Sequence, residues 1–301
     1  MRILLLGGDG FLGRHVAVAL RALPAVQLRT AGRRPDHHLR LDLATCQVKE
    51  LAVDLAAQAP DVVVNCAGAV SGSALHQTEV NARGPAVLAE ALQLARPGAR
   101  LVHLGSAGEY GPAEPGSSLT ERSQPSPLGI YGVTKLAGTL AVAESALDAV
   151  SLRVFNPLGP GSPAASLPGR LAAELAAGPT GVITLGDLSA HRDFVDARDV
   201  AAAVAAAVTA TGPLPRILNI AGGLARPVRA VAEGLIAAAG WTGELAETGA
   251  GSERSAAVSW QQADISAARA TLGWQPTFQL ADSLRDLWQA AGGAAPTAGA
   301  R

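Results

Sequence analysis

Through the first half of the chain, short apolar runs alternate with amphipathic stretches. Ile3–Leu6, Val26–Ala31, Val62–Asn65, Arg100–Leu104 and Ser151–Phe155 predict strands. Most of them are rich in Val, Leu and Ile rather than strictly alternating, as a sheet covered on both faces requires. Between them, helical periodicity runs through Phe11–Ala22, Gln47–Gln58, Ala74–Ala95 and Ile130–Ala146. Strand and helix in alternation predict βαβ units, hence an α/β fold with a doubly wound parallel sheet and helices on both faces.

Beyond Phe155 the pattern loosens into Pro- and Gly-rich loops, Asn156–Gly169 and Gly178–Gly186, with helices around Leu171–Ala177 and Ala197–Val208 and a returning strand at Arg216–Ile220. Helical periodicity dominates from Pro227. The tail Gly292–Arg301 is small and polar enough to predict disorder. No internal repeat is visible.

Composition narrows the function classes. The 301 residues are 49% hydrophobic, enough for a large core and a smaller appended one. A net charge of −1, with both signs interspersed, gives no footprint for nucleic acid. The run Ile3–Leu6 is too short for a signal-peptide core, and no segment is long enough to span a bilayer. Cys46 and Cys66 lack metal-ligand spacing and read as buried thiols of a cytoplasmic protein. The six histidines, His15, His37, His38, His76, His103 and His191, complete no metal set; His103, inside an apolar run, reads as a satisfied core group.

Two motifs carry chemistry. Gly7-Gly8-Asp9-Gly10-Phe11-Leu12-Gly13 follows the first strand and opens the first helix. Gly7 permits a tight turn, Gly10 a close approach of backbone to a pyrophosphate, and Gly13 close packing of helix on sheet, which is the dinucleotide-binding turn of a Rossmann domain. Where an acidic residue would hold the ribose 2′-hydroxyl of NAD, the second strand ends in Thr30-Ala31-Gly32-Arg33-Arg34. Two guanidiniums suit a 2′-phosphate, so NADP(H) is favoured over NAD(H).

The second motif is Tyr131-Gly132-Val133-Thr134-Lys135, whose Tyr and Lys, four apart, share a helix face. A phenol beside an ammonium can exchange a proton with a carbonyl or alcohol oxygen. Ser106, ending the fourth strand, is placed to hydrogen-bond that oxygen. The chain holds only two lysines, Lys49 and Lys135, so Lys135 stands out where Arg serves elsewhere.

These motifs, with Asp42-Leu43, Asn65 to Gly68, Asn81, the Gly105–Gly111 segment, Arg153 to Gly161, Arg192 to Asp196 and Leu272 to Pro276, resemble the extended short-chain dehydrogenase/reductase family, also called the NAD-dependent epimerase/dehydratase family, over nearly the whole chain. The resemblance implies a catalytic Ser106, Tyr131 and Lys135. It implies a cofactor lined by Gly7, Gly10, Phe11, Leu12, Gly13, Arg33, Arg34, Asp42, Leu43, Cys66, Ala67, Gly68, Asn81, Tyr131, Lys135 and Phe155. It further implies a small-molecule substrate, a nucleotide-diphosphate sugar, gripped by Ser106, Glu109, Asn156, Arg192 and Arg254. Residues 1–155, with parts of 190–222, would form the Rossmann domain, 156–189 and 223–292 the substrate-binding portion, and 293–301 the tail. Members commonly form homodimers through the helices that would hold Ala74–Ala95 and Ile130–Ala146.

Dehydratases of this family carry an acid directly after the active-site Ser or Thr, where this chain has Ala107 and Gly108, so dehydration is disfavoured. The Ser106-x-x-Glu109-Tyr110-Gly111 pattern resembles the GDP-4-keto-6-deoxy-mannose reductase branch. A ketoreductase acting on a nucleotide-diphosphate 4-keto-6-deoxy sugar is therefore the leading expectation. A 4-epimerase with bound NAD, a ketoreductase for a non-sugar metabolite and a non-catalytic NADP-binding regulator stand as alternatives.

Overall fold

The computed structural model describes residues 1–178, 181–249 and 258–292. Its frame is a seven-stranded parallel sheet of β1 (Arg2–Leu6), β2 (Gln27–Gly32), β3 (Leu39–Arg40), β4 (Val62–Asn65), β5 (Arg100–Ser106), β6 (Asp148–Val154) and β11 (Ile217–Ile220), in the spatial order β11-β6-β5-β4-β1-β2-β3. Helices α1 (Phe11–Arg21) and α7 (Ala197–Thr209) pack together over one face, where Ile3, Leu5, Val16, Leu20, Val102 and Val204 meet in one core. The other face carries α2 (Val48–Gln58), α4 (Gly84–Ala95) and α5 (Gly129–Ala143), over Leu4, Leu6, Leu51, Leu88 and Leu92. Strands buried on both faces account for the unbroken apolar runs of β1 and β4.

The helix expected at Ala74–Ala95 is one helical run in three registers: α3 (Ala74–Thr78), a π-helical turn at Glu79–Arg83, and α4. The second half departs further from the periodicity. Helix α6 (Leu167–Ala176) starts inside the expected loop because Ser166 caps it, its hydroxyl accepting from Gly169 N, and Pro168 sits in the first turn, where no N–H is missed. Short strands form where loops or helices were expected: β7 (Pro157–Leu158) with β10 (Val195–Asp196), β8 (Val182–Leu185) with β13 (Glu244–Glu247), and β9 (His191–Asp193) between β12 (Ala225–Pro227) and β14 (Trp260–Gln261).

A third core gathers Leu158, Leu171, Leu175, Ile183, Leu185, Leu235, Leu284 and Trp288 from β7, α6, β8, α8 (Val228–Ala239) and α10 (Leu280–Ala290). Helix α9 (Ser266–Leu272) lies between β14 and α10 in sequence and joins the first core through Ala268. Asp199, on α7, ties this region down by accepting from Thr277 N and Phe278 N. The expected tail, 293–301, lies outside the described residues. Among the described residues no helix is long and apolar enough to cross a membrane.

Candidate active site

The strand order reverses at β1, whose neighbours β2 and β4 lead away in opposite directions. An open α/β sheet leaves a crevice at such a reversal, outside the carboxyl ends of the strands. Gly7 ends β1 there at φ +73°, and a Cβ on it would stand 2.6 Å from Ala67 N, so only glycine lets the two turns meet. A Cβ on Gly13 would stand 2.0 Å from the carbonyl oxygen of Gly7. Gly10 donates its N–H to that oxygen at 3.1 Å and is the residue before α1. The first-turn N–H groups of α1 have no partner within the helix and favour an anion. This bare turn, with amide donors and no side chain in the way, fits the pyrophosphate of a dinucleotide.

The other expected cofactor residues line up along this edge with unequal freedom. Phe11 and Leu12 are half-buried on the first turn of α1, and Cys66, Ala67 and Gly68 follow β4. The two cysteines are half-buried rather than enclosed, and burial pushes the Cys66 thiol up to about 12. Asp42 accepts from Ala44 N at 3.0 Å, while Leu43 is buried. Asn81, in the π-helical turn, is buried: its amide oxygen accepts from Ala69 N at 2.8 Å, and its amide nitrogen donates to Ala69 O at 2.7 Å. It thus fixes the wall after β4. Phe155, expected to line the cofactor, is wholly enclosed in the core and presents no surface to the crevice. Arg33 is exposed, whereas Arg34 pairs with Asp9 at 2.7 Å and Asp36 at 3.3 Å.

The chemical groups converge one strand further along. Ser106 ends β5, and α5 brings Tyr131 and Lys135 over it. The approach depends on glycine: a Cβ on Gly132 would stand 2.4 Å from Gly108 O, and one on Gly108 would stand 3.4 Å from both Ser106 Oγ and Tyr131 Cε1. Ser106 and Tyr131 therefore flank the same small space. Lys135 is buried, and its Nζ donates to Leu104 O at 2.5 Å. Burial lowers its pKa, opposed by the Glu109 carboxylate.

Glu109 requires a correction. Read from the sequence as a substrate contact, it is fully buried: Oε1 accepts from Ser106 N at 2.7 Å and Thr139 Oγ1 at 2.9 Å, and Oε2 accepts from Arg153 Nε at 2.8 Å. Both of its oxygens are engaged by protein donors and neither is exposed, so it braces β5, α5 and β6 beneath the site instead of touching a ligand. Arg153 is equally buried and lies over the Tyr110 ring at 4.4 Å, while Tyr110 donates its hydroxyl to Asn219 Oδ1.

On the substrate side, Asn156 donates to Asp193 O at 2.9 Å and Gln261 Oε1 at 3.3 Å. Gln261 in turn donates to Ala107 O at 3.0 Å, which joins β14 to the turn after Ser106. Nothing in the sequence pattern singles out Gln261. Arg192, on β9, is half-buried; burial lowers its pKa, and its guanidinium donates at 2.9 Å to the carbonyl of His191, whose ring stacks on Trp260 at 5.3 Å. Arg254 lies outside the described residues. His103 differs from the expected satisfied core group: Nδ1 meets Asn65 Nδ2 at 3.2 Å, Nε2 has no partner, and burial holds the ring neutral.

A mostly parallel Rossmann sheet, a glycine turn at its reversal and a Ser, Tyr and Lys brought to one edge define a class of nucleotide-dependent enzyme, and comparison with known proteins agrees. The sequence model of the NAD dependent epimerase/dehydratase family matches residues 3–221, and the chain belongs to that family of NAD(P)-binding oxidoreductases and epimerases. A dTDP-6-deoxy-L-talose 4-dehydrogenase (NAD(P)(+)) of Kitasatospora kifunensis is 37% identical, over 96% of this chain and 95% of that one. A GDP-6-deoxy-D-mannose reductase of Pseudomonas aeruginosa is 25% identical, over 94% and 95%. The solved structure of RMD from Pseudomonas aeruginosa complexed with NADPH has the same fold, with a TM-score of 0.84 at 24% identity over 96% of this chain and 98% of that one.

Proposed function

We propose that this protein interconverts a ketone and an alcohol at C4 of a nucleotide-diphosphate 6-deoxyhexose, working chiefly as a ketoreductase. The observation that carries the reading is the meeting of Ser106 and Tyr131 across Gly108, with Lys135 one turn along α5 and the neighbouring Glu109 carboxylate enclosed beneath them. Ala107 and Gly108 cannot transfer a proton, and Glu109 is enclosed by Arg153, Thr139 and the Ser106 amide. That arrangement suits reduction and leaves dehydration without an acid–base pair. The 37% identical dehydrogenase and the mannose-type reductase support the substrate class.

A bound reduced nicotinamide would supply the hydride for the carbonyl carbon. Ser106 would donate a hydrogen bond to the substrate oxygen, Tyr131 would pass its phenolic proton to that oxygen, and the Lys135 ammonium would stabilise the phenolate left behind until solvent restores the proton. Gly7, Gly10, Phe11, Leu12, Gly13, Asp42, Leu43 and Cys66 to Gly68 would line the cofactor, with NADP(H) favoured by Arg33 and Arg34. Asn156 and Arg192 would face the diphosphate. A cytoplasmic homodimer fits the free thiols and the exposed Ile130, Val133 and Leu140 on α5.

The test is to incubate the purified chain with NADPH or NADH and a dTDP- or GDP-linked 4-keto-6-deoxyhexose, follow loss of reduced-nicotinamide absorbance, and identify the sugar by NMR. Turnover to a 4-hydroxy product supports the reading. No turnover, together with exchange of C4 configuration in an unoxidised sugar nucleotide without added cofactor, would overturn it in favour of an epimerase.

A further inference from the structure

At the carboxyl end of β2, where the sequence offers two arginines and no acid, the structure supplies an acid from elsewhere. Asp9, in the glycine turn, places Oδ1 at 2.7 Å from Arg34 Nη2 and Oδ2 at 2.9 Å from His37 Nε2. A carboxylate only accepts, so Nε2 carries the proton, and the other ring nitrogen meets Thr30 Oγ1 at 3.0 Å. The His37 side chain is only 5% exposed. Its seat is built: a Cβ on Gly32 would stand 2.5 Å from Nε2, so the ring lies on β2 only because residue 32 is bare. Asp36 also holds Arg34, through Nε, and His38 Nδ1 lies 3.2 Å from Thr30 N.

We infer that Asp9 is the residue that sets the choice between NAD(H) and NADP(H), by occupying the two donors that a 2′-phosphate would use. This rests on the dinucleotide reading of the Gly7–Gly13 turn. Arg34 and His37 are the donor set an anion needs, yet both already serve a carboxylate from a loop that must lie against the cofactor. A 2′-phosphate has to take those donors and stand beside the displaced negative charge. A ribose with a free 2′-hydroxyl meets the reverse situation: it needs an acceptor, which Asp9 provides in place of the acid usual at the strand end. The same three side chains can thus serve either cofactor, and the charge of Asp9 offsets the preference for NADP(H) that the two arginines would create alone. The arginine pair read from the sequence is only half of the selector.

Dissociation constants for NADPH and NADH, from titrations of the purified protein and of Asp9→Asn, test the inference without a sugar substrate. The substitution should tighten NADPH and weaken NADH, moving the ratio of the two constants by roughly tenfold toward NADPH, the scale of one charge-assisted hydrogen bond. Arg34→Ala, on an exposed side chain, should weaken NADPH severalfold and NADH less, moving the ratio of the two constants toward NADH. A ratio that Asp9→Asn leaves unmoved, or moves toward NADH, overturns the inference while the cofactor reading stands. A wild-type protein that binds neither dinucleotide overturns both.

Discussion

Two guanidinium–carboxylate pairs stand on the same edge of the sheet with nearly equal separations, Arg34–Asp9 at 2.7 Å and Arg153–Glu109 at 2.8 Å. The first pair has side chains 60% and 43% exposed; the second, 1% and 0%. Distance alone would rank them together. Their surroundings separate them: water can replace either partner of the first pair, and neither partner of the second. An exposed pair contributes about 0–1 kcal/mol and can be exchanged for a ligand contact. A buried pair gives little net stability over an apolar replacement, but losing one partner strands a charge. The edge of the crevice at β2 is accordingly built for exchange, and the edge at β5 and α5 for fixity.

Four measurements press on that contrast. The largest effect is expected at the fixed end: Tyr131→Phe should lower kcat by about 10²–10⁴-fold with thermal unfolding unchanged, the range of a positioned proton donor. A loss of stability in step with activity would mean that Tyr131 is structural. Next, Glu109→Gln should lower the unfolding free energy by about 3–5 kcal/mol, because Arg153 keeps its charge without a counter-ion. Chemical denaturation would show this, and Glu109→Gln combined with Arg153→Met should recover part of it; no recovery would contradict the stranded-charge account.

Asp193 sharpens the role of burial, since its acceptors face backbone amides of Gly222, Gly223 and Ala263. Burial raises its pKa from 3.8 to about 6. A carboxyl whose folded pKa is raised adds stability below the unfolded pKa and loses it as pH rises through the folded value. Compared with Asp193→Asn, the wild type should therefore lose roughly 2–3 kcal/mol between about pH 4 and pH 6 and then level off. A constant difference across that window would show that the carboxyl titrates normally. Last and smallest, Arg34→Ala should change stability by less than about 1 kcal/mol, with any change fading as salt is added.

Strands β1 and β4 were legible as unbroken runs of Leu, Ile or Val, while β2, Gln-Leu-Arg-Thr-Ala-Gly, was legible mainly from its place between the first helix and the break at Gly32. Periodicity carries no such mark for β7, β9 or β14, which are two or three residues long and owe their form to partners distant in the chain. The π-helical turn was equally silent, since one inserted residue changes the register without changing composition. At the site, Ser106, Tyr131 and Lys135 were readable from spacing. The role of Glu109 was readable too, had Ser106-x-x-Glu109 been taken as a capping box, which it is: Ser106 Oγ accepts from Gly108 N while Glu109 accepts from Ser106 N. Asp9 and His37 could not be paired by eye, because the contact spans 28 residues and depends on a bare Gly32.

Helix α5 carries Tyr131, Lys135 and three glycines, Gly129, Gly132 and Gly138. A Cβ at Gly138 would stand 2.1 Å from Asn81 O, as one at Gly132 would crowd Gly108 O. In a free peptide each interior glycine disfavours the helix by about 1 kcal/mol relative to alanine, and a segment of this length is marginal even at its best. The segment is thus a helix only by docking against the turn after Ser106 and the helical run through Asn81. Where that docking is undone, Tyr131 and Lys135 lose their shared face, and the segment presents no aligned phenol and ammonium to a reactive ketone.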